Sequence, residues 1–169
     1  MSIQNRISAF HDLGQFFSYY TENQNTESPN KAKFDYLKEE FESILKLAEI
    51  HNPWFTQENL GFALKQWALA LVPEKLEKWT NFYTYTSQPK NVGIIMAGNI
   101  PLVGFHDLLS VLLSGHNAYV KSSSKDDVLM NWIIKFLQET DEEFHTSIVK
   151  VERLQNVDAV IATGSNNTA

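Results

Sequence analysis

An α/β fold, in which an amino-terminal helical segment leads into a mostly parallel sheet, is predicted by three features of the sequence. Up to Tyr83 the apolar residues recur at three- and four-residue spacing, the period of helices that bury one face. After Lys90 the pattern changes to short apolar runs, the first of which, Val92 to Ala97, suits a strand covered on both faces. These runs alternate with helical stretches, an order that gives parallel strands with right-handed crossovers and places ligands at the carboxyl ends of the strands. The connector Thr84 to Lys90, containing Pro89, divides a helical segment, residues 1–88, from an α/β part, residues 89–169.

The first helix is read from Ile7, Phe10, Leu13, Phe17 and Tyr20, which fall on one stripe. A polar stretch from Asn23 to Asn30, with Pro29, interrupts it. From Lys31 the period resumes with Phe34, Leu37, Phe41, Leu45 and Ala48, while Lys38, Glu39, Glu42 and Glu49 take the other side, and the helix ends near Asn52-Pro53. Thr56 is placed to cap a third helix carrying Leu60, Leu64, Trp67 and Leu71, and Pro73 to begin a fourth with Leu76 and Trp79. The tryptophans and phenylalanines of this half are read as core.

The first strand is Val92 to Ala97, bounded by Asn91 and by Gly98-Asn99. Pro101 then stands where a helix would begin, and Leu102, Phe105, Leu108, Leu109, Leu112 and Leu113 form its wide apolar face until Gly115 stops it. Asn117 to Lys121 is a second strand. Ser124 with Asp127 three residues on resembles a capping box for a helix whose core face is Leu129, Trp132, Ile133, Phe136 and Leu137. Ile148 to Val151 and Asp158 to Thr163 read as two further strands, the last ending at Gly164-Ser165.

Composition narrows the function. With 169 residues, 43% of them hydrophobic, the chain can bury one substantial core. The formal net charge is −6, and no cluster of Lys and Arg offsets it locally, so nucleic acid is not an expected partner. There is no cysteine, which excludes a disulfide framework, a zinc knuckle and a thiol nucleophile within these residues; no metal site is expected. The amino terminus has no uninterrupted signal-peptide core, and no apolar run is long enough for a membrane span. Cytoplasm is the simplest location.

Three turns at strand ends carry the chemistry: Gly98-Asn99, Lys121 to Ser124, and Gly164 to Thr168. Gly98 lets backbone approach a ligand, and the Asn99 carboxamide offers uncharged donors. Lys121 suits ribose hydroxyls or phosphate, the serines add short hydroxyls, and Gly164-Ser165 would present backbone amides to an anion. Each has a structural alternative. Taken alone, Asn99 and Ser124 read first as helix caps, Lys121 as a solvated strand end, His106 beside Asp107 as a hydrogen bonder rather than a base, and His116 as a complement to a helix dipole.

The run Gly98-Asn99-Ile100-Pro101-Leu102-Val103-Gly104-Phe105-His106-Asp107, continuing through Leu113-Ser114-Gly115-His116, closely resembles the LuxC-type acyl-CoA reductases. Its spacing to Val120-Lys121-Ser122-Ser123-Ser124 and to Ala162-Thr163-Gly164-Ser165-Asn166-Asn167-Thr168-Ala169 is similar to that family as well. Residues 91–169 carry the specific match. The resemblance implies the aldehyde dehydrogenase superfamily and the first part of its Rossmann-like nicotinamide-cofactor domain. It further implies reduction of an acyl thioester, delivered as acyl-CoA, to an aldehyde with NADPH (or NADH) through a thioester on an enzyme cysteine. By the same resemblance Asn99 is the oxyanion donor, Lys121 and Ser124 contact the adenosine ribose and its 2′ position, Thr163, Gly164 and Ser165 form the phosphate turn, and Met96 and Ala97 line the cofactor through their backbone.

Two residues depart from the wider superfamily: Ser122 stands where a proline follows the cofactor lysine, and Ala169 where a glycine is common. In the family the nucleophilic cysteine, the remaining strands and the substrate-closing domain follow this region, so a truncated or proteolysed chain, inactive alone, is expected. The alternative is a non-catalytic nucleotide-binding-like module whose incomplete sheet seeks a partner strand or forms a homo-oligomer. An unrelated nucleotide-binding α/β enzyme is the third reading, against which stands the lack of a G-x-G-x-x-G or G-x-x-x-x-G-K-[ST] turn.

Overall fold

A computed structural model describes residues 2–22, 30–86 and 88–164. Its elements, in order, are α1 (Ile3–Thr21), α2 (Lys31–His51), α3 (Gln57–Ala70), α4 (Pro73–Thr80), β1 (Asn91–Ile95), α5 (Phe105–Leu113), β2 (Asn117–Lys121), α6 (Asp127–Thr140), α7 (Phe144–Ser147), β3 (Ile148–Lys150) and β4 (Ala159–Ala162). The predicted α/β fold with a parallel sheet is present. Local signals set many of the boundaries. Thr56 caps α3 by accepting the Asn59 N–H at 3.2 Å, Pro73 opens α4, and Gly115, at φ 90°, ends the turn after α5 in a conformation that a side chain would strain.

The described strands form one sheet, ordered β3-β2-β1-β4, with every pair parallel. β1 starts the chain's sheet and lies inside it, with β2 on one side and β4 on the other. The chain therefore runs outward from β1 through β2 to β3 and then crosses back to place β4 on the other side of β1, and the crevice outside the carboxyl ends of β1 and β4 is a topological switch point. Val92, Gly93 and Ile94 of β1 are buried, whereas Ala159, Val160 and Ala162 of β4 are exposed.

The helical segment packs directly on the α/β part. α1 lies against α3, α5 and α6, and α2 against α6. Phe16 is wholly buried, with ring-centroid separations of 5.5 Å to Phe34, 5.1 Å to Phe41, 5.1 Å to Trp132 and 5.9 Å to Phe136. Phe10 makes edge contacts with Phe105 and Phe144. α5 packs on β1 and β2 and on α1, and α6 packs on α1, α2 and α7, so both helices bury many residues. Arg6, only 4% exposed, reaches from α1 to the carbonyls of Leu112 and His116, where the negative end of α5 favours a cation.

Three expectations are corrected. The helix after β1 begins at Phe105 rather than Pro101, because Leu102 takes a left-handed φ of 60° that a helix cannot accommodate. Ser124 does not cap α6; the N-cap position belongs to Asp126, whose carboxylate is turned inward to Leu102 instead of to its own helix. Not all aromatics of the first half are core. Phe10, Phe16, Phe17, Phe34, Phe41 and Phe55 are buried, but Trp54, Phe62 and Phe82 lie on the surface, because the pattern of period alone does not say which helix faces find a partner.

Candidate active site

The carboxyl ends of β1, β2 and β4 surround a crevice of about 600 Å³ lined by Met96, Ala97, Gly98, Asn99, Val103, Ser123, Lys125, Thr163 and Gly164. The sheet register produces this grouping: Ile95 is level with Lys121 on one side and with Ala162 on the other, so the three following turns emerge together. Met96 remains tied to the sheet through its N–H, which donates to the Lys121 carbonyl at 3.1 Å.

Gly98 is required by contact within the protein. A Cβ there would lie 2.4 Å from Ser123 Oγ and 2.7 Å from Ser123 Cβ, so the missing side chain lets the β2–α6 loop close against the β1–α5 turn. The approach that the sequence assigned to a ligand is made by Ser123. Asn99, next to it, is exposed, and its carboxamide has no hydrogen-bond partner among the described residues. It is not a helix cap, since α5 starts at Phe105 with Gly104 in the cap position. An uncharged donor pair thus stands free at the mouth of the crevice.

The remaining site residues fall in different places. Thr163 donates its hydroxyl proton to Asp107 at 2.7 Å and its N–H to the Ile95 carbonyl at 3.1 Å, so both of its donors are committed. Gly164 lines the crevice and its N–H has no acceptor among the described residues, which leaves it the better anion donor of the two. Ser165 lies outside the described residues. Lys121 is exposed and lines a second hollow of about 460 Å³, with Ser122, Asp127, Lys150 and Glu152, that shares no residue with the crevice. Ser124 is exposed and lines neither. The cation that does line the crevice is Lys125, which the sequence reading passed over; its place in the same short loop as Lys121 was the available signal.

The histidines have other positions. His106 lies in a third hollow with Trp79 and Tyr83, its Nδ1 3.8 Å from Asp107, away from the crevice. His116 accepts the Lys90 N–H at Nδ1 at 3.2 Å, so that nitrogen carries no proton and the ring ties the start of β1 to the turn before β2.

Two buried polar residues that the sequence did not single out hold the Asn99 turn. Asn52, 4% exposed, donates from Nδ2 to the Gly98 carbonyl at 3.1 Å. Asp126, 5% exposed, accepts the Leu102 N–H through Oδ2 at 2.9 Å, while Oδ1 is buried without a partner. Burial pushes the Asp126 carboxyl up to about 7; the Leu102 N–H opposes the shift and the Asp127 charge adds to it.

A folded-state pKa above the unfolded one means that the folded chain binds the extra proton. Stability from this group is complete below about pH 4 and is lost as pH rises to about 7. Asp126→Asn keeps an acceptor for Leu102 and cannot ionise. Urea midpoints at pH 5 and pH 8 are expected to show the native chain losing on the order of 2 kcal/mol more than this variant over that interval. Equal losses in the two proteins would show that Asp126 is not the titrating group.

No helix among the described residues is long and apolar enough to cross a membrane. The family model described as acyl-CoA reductase (LuxC) matches residues 31–169. No curated protein and no solved structure matches the chain.

Proposed function

The chain belongs to the LuxC acyl-CoA reductase family, and from that premise we propose that it supplies the oxyanion donor and part of the nicotinamide-cofactor cradle for reduction of an acyl thioester to an aldehyde. The observation that carries this reading is that an unpaired carboxamide, Asn99, and an unpaired backbone donor, Gly164, line one crevice at the sheet's switch point. Family membership supports an acyl substrate, and the crevice offers groups that could meet it.

The donor set fits a dinucleotide phosphate cofactor. Met96, Ala97 and Gly98 line the crevice, where the Gly164 N–H would donate to anionic oxygens and Lys125 would supply a cation. Lys121, one hollow away across the β2–α6 loop, is placed for the adenosine end, where Glu152 and Asp127 accompany it. NADPH, or NADH, supplies a hydride when bound. Asn99 then has one task. Transfer of the hydride to the thioester carbonyl carbon would form the new C–H bond and put a full negative charge on the oxygen, and a fixed, uncharged amide donor at Asn99 would stabilise that charge more than the neutral carbonyl. Collapse of the adduct returns the electron pair to carbon–oxygen and expels the thiolate, leaving aldehyde. The thiol that carries the acyl group is not among these 169 residues, which contain no cysteine; we place it outside them, in the complete reductase. That same absence is the one observation favouring a non-catalytic role for the chain by itself.

Titration of NADPH onto the 169-residue chain, followed by amide chemical shifts, tests the cradle. Perturbations are expected at Ala97 to Asn99, Lys125 and Gly164, and no aldehyde is expected from an acyl-CoA under the same conditions. Perturbations confined to the Trp79–His106 hollow would put the cofactor elsewhere, and turnover by chain shown intact by mass spectrometry would overturn the external thiol. In the complete reductase Lys121→Ala should raise the apparent KM for the cofactor by roughly tenfold and leave single-turnover hydride transfer at saturating cofactor nearly unchanged.

A further inference from the structure

We infer that Asn52 and Asp126 are positioning residues of the reaction, a buried two-point clamp that holds the turn from Gly98 to Leu102 so that Asn99 faces the crevice. This rests on the oxyanion role proposed for Asn99; the holding of the turn itself does not.

The turn needs external support. Between Met96 and Phe105 it belongs to no helix or strand, and within it the backbone closes only long or local bonds, Val103 N–H to the Ile100 carbonyl at 3.4 Å and Phe105 N–H to the Leu102 carbonyl at 3.1 Å. Leu102 sits at φ 60°, a left-handed conformation that a leucine avoids, with its side chain only 1% exposed. A strained residue of this kind persists where its surroundings over-determine it. Here the over-determination comes from two side chains at helix ends. Asp126, at the amino end of α6, takes the Leu102 N–H at one side of Asn99. Asn52, at the carboxyl end of α2, takes the Gly98 carbonyl at the other.

Asn52 also joins the neighbouring loops. Its Nδ2 lies 3.4 Å from the Lys125 carbonyl, and its Oδ1 accepts the Trp54 N–H at 3.1 Å. One carboxamide therefore couples the α2–α3 turn, the Asn99 turn and the loop that brings Lys125 to the crevice. Asn99, exposed and unbonded, has no other means of being fixed than the backbone between these two points. An oxyanion donor must be preorganised to be useful, since displacement by about 1 Å can lose roughly 10²-fold in rate. Asp126 accepts this burial with its other oxygen unpaired, an arrangement that favours holding Leu102 over stability alone.

The test combines exchange and kinetics. In the 169-residue chain, Asn52→Ala is expected to speed hydrogen exchange at the Leu102 amide, which Asn52 does not touch, by about tenfold or more, while the β1 amides from Val92 to Ile95 keep their protection. Asp126→Ser should do the same at the Phe105 amide, which donates to the Leu102 carbonyl at 3.1 Å, and Asp126→Asn, which keeps the acceptor, should restore most of the protection. In the complete reductase Asn52→Ala and Asp126→Ser should lower kcat by about tenfold or more, with the cofactor KM within about twofold, and Asp126→Asn should recover kcat. Unchanged exchange at Leu102, or acceleration spread evenly through the sheet, would overturn the clamp, as would a loosened turn with normal kcat in a reductase that Asn99→Ala cripples. If Asn99→Ala itself leaves kcat intact, the oxyanion role fails, and the exchange results alone then decide whether the clamp exists.

Discussion

Asn99→Ala in the complete reductase is expected to lower kcat by about 10²- to 10³-fold, with little change in cofactor affinity. The magnitude follows from the oxyanion role proposed for Asn99, in which the variant would lose one preorganised donor to an oxygen that becomes charged only on the way to the adduct. The structure sharpens this expectation by removing its rival. A helix cap replaced by alanine would cost about 1 kcal/mol of stability, but Asn99 precedes α5 by several residues, is exposed and bonds to nothing described. Its removal should therefore shift the unfolding free energy by less than about 0.5 kcal/mol. Pre-steady-state hydride transfer and a urea melt on one sample of the variant decide the matter. Normal hydride transfer would end the oxyanion assignment, whatever the melt shows.

Phe16→Ala is expected to destabilise the chain by about 3–5 kcal/mol, the range for emptying a buried aromatic site whose surroundings relax only partly. Phe16 has no exposed surface and is ringed by Phe34, Phe41, Trp132 and Phe136. Those partners come from α2 and α6, so the cavity would loosen the contact between the helical segment and the α/β part. Against a total of about 5–15 kcal/mol for a domain of this kind, the loss is a large share. Phe62→Ala provides the control, because Phe62 is 65% exposed on α3 and should change stability by no more than about 0.5 kcal/mol. The two urea midpoints must differ accordingly; a loss below about 1 kcal/mol for Phe16→Ala would show that α1 is not packed as described.

The crevice was legible in outline from the sequence. Gly98-Asn99 and Thr163-Gly164 follow short apolar runs that read as strands, and parallel strands bring such turns to one end of a sheet. Lys121 was singled out and Lys125 was not, because a lysine at a strand end is visible in sequence, while the path of the loop that follows it is not. In the structure Lys125 lines the crevice, and Lys121 lines the neighbouring hollow.

By itself the sequence determined the class of fold, the order of its elements and several of their boundaries, because these rest on local physics. Apolar period distinguishes helix from strand, Thr56 and Pro73 open helices, Gly115 closes the turn after α5, and Asn117–Lys121 is bounded as read. Only the tertiary structure decided where α5 begins, which residue heads α6, and what holds Asn99. Those features depend on groups far apart in the chain: Asp126 meets Leu102 across 24 residues, and Asn52 meets Gly98 across 46. A buried carboxylate or carbonyl must find a hydrogen-bond partner wherever packing brings one, and that demand outweighs the local preference of Pro101 to begin a helix or of Ser124 to cap one.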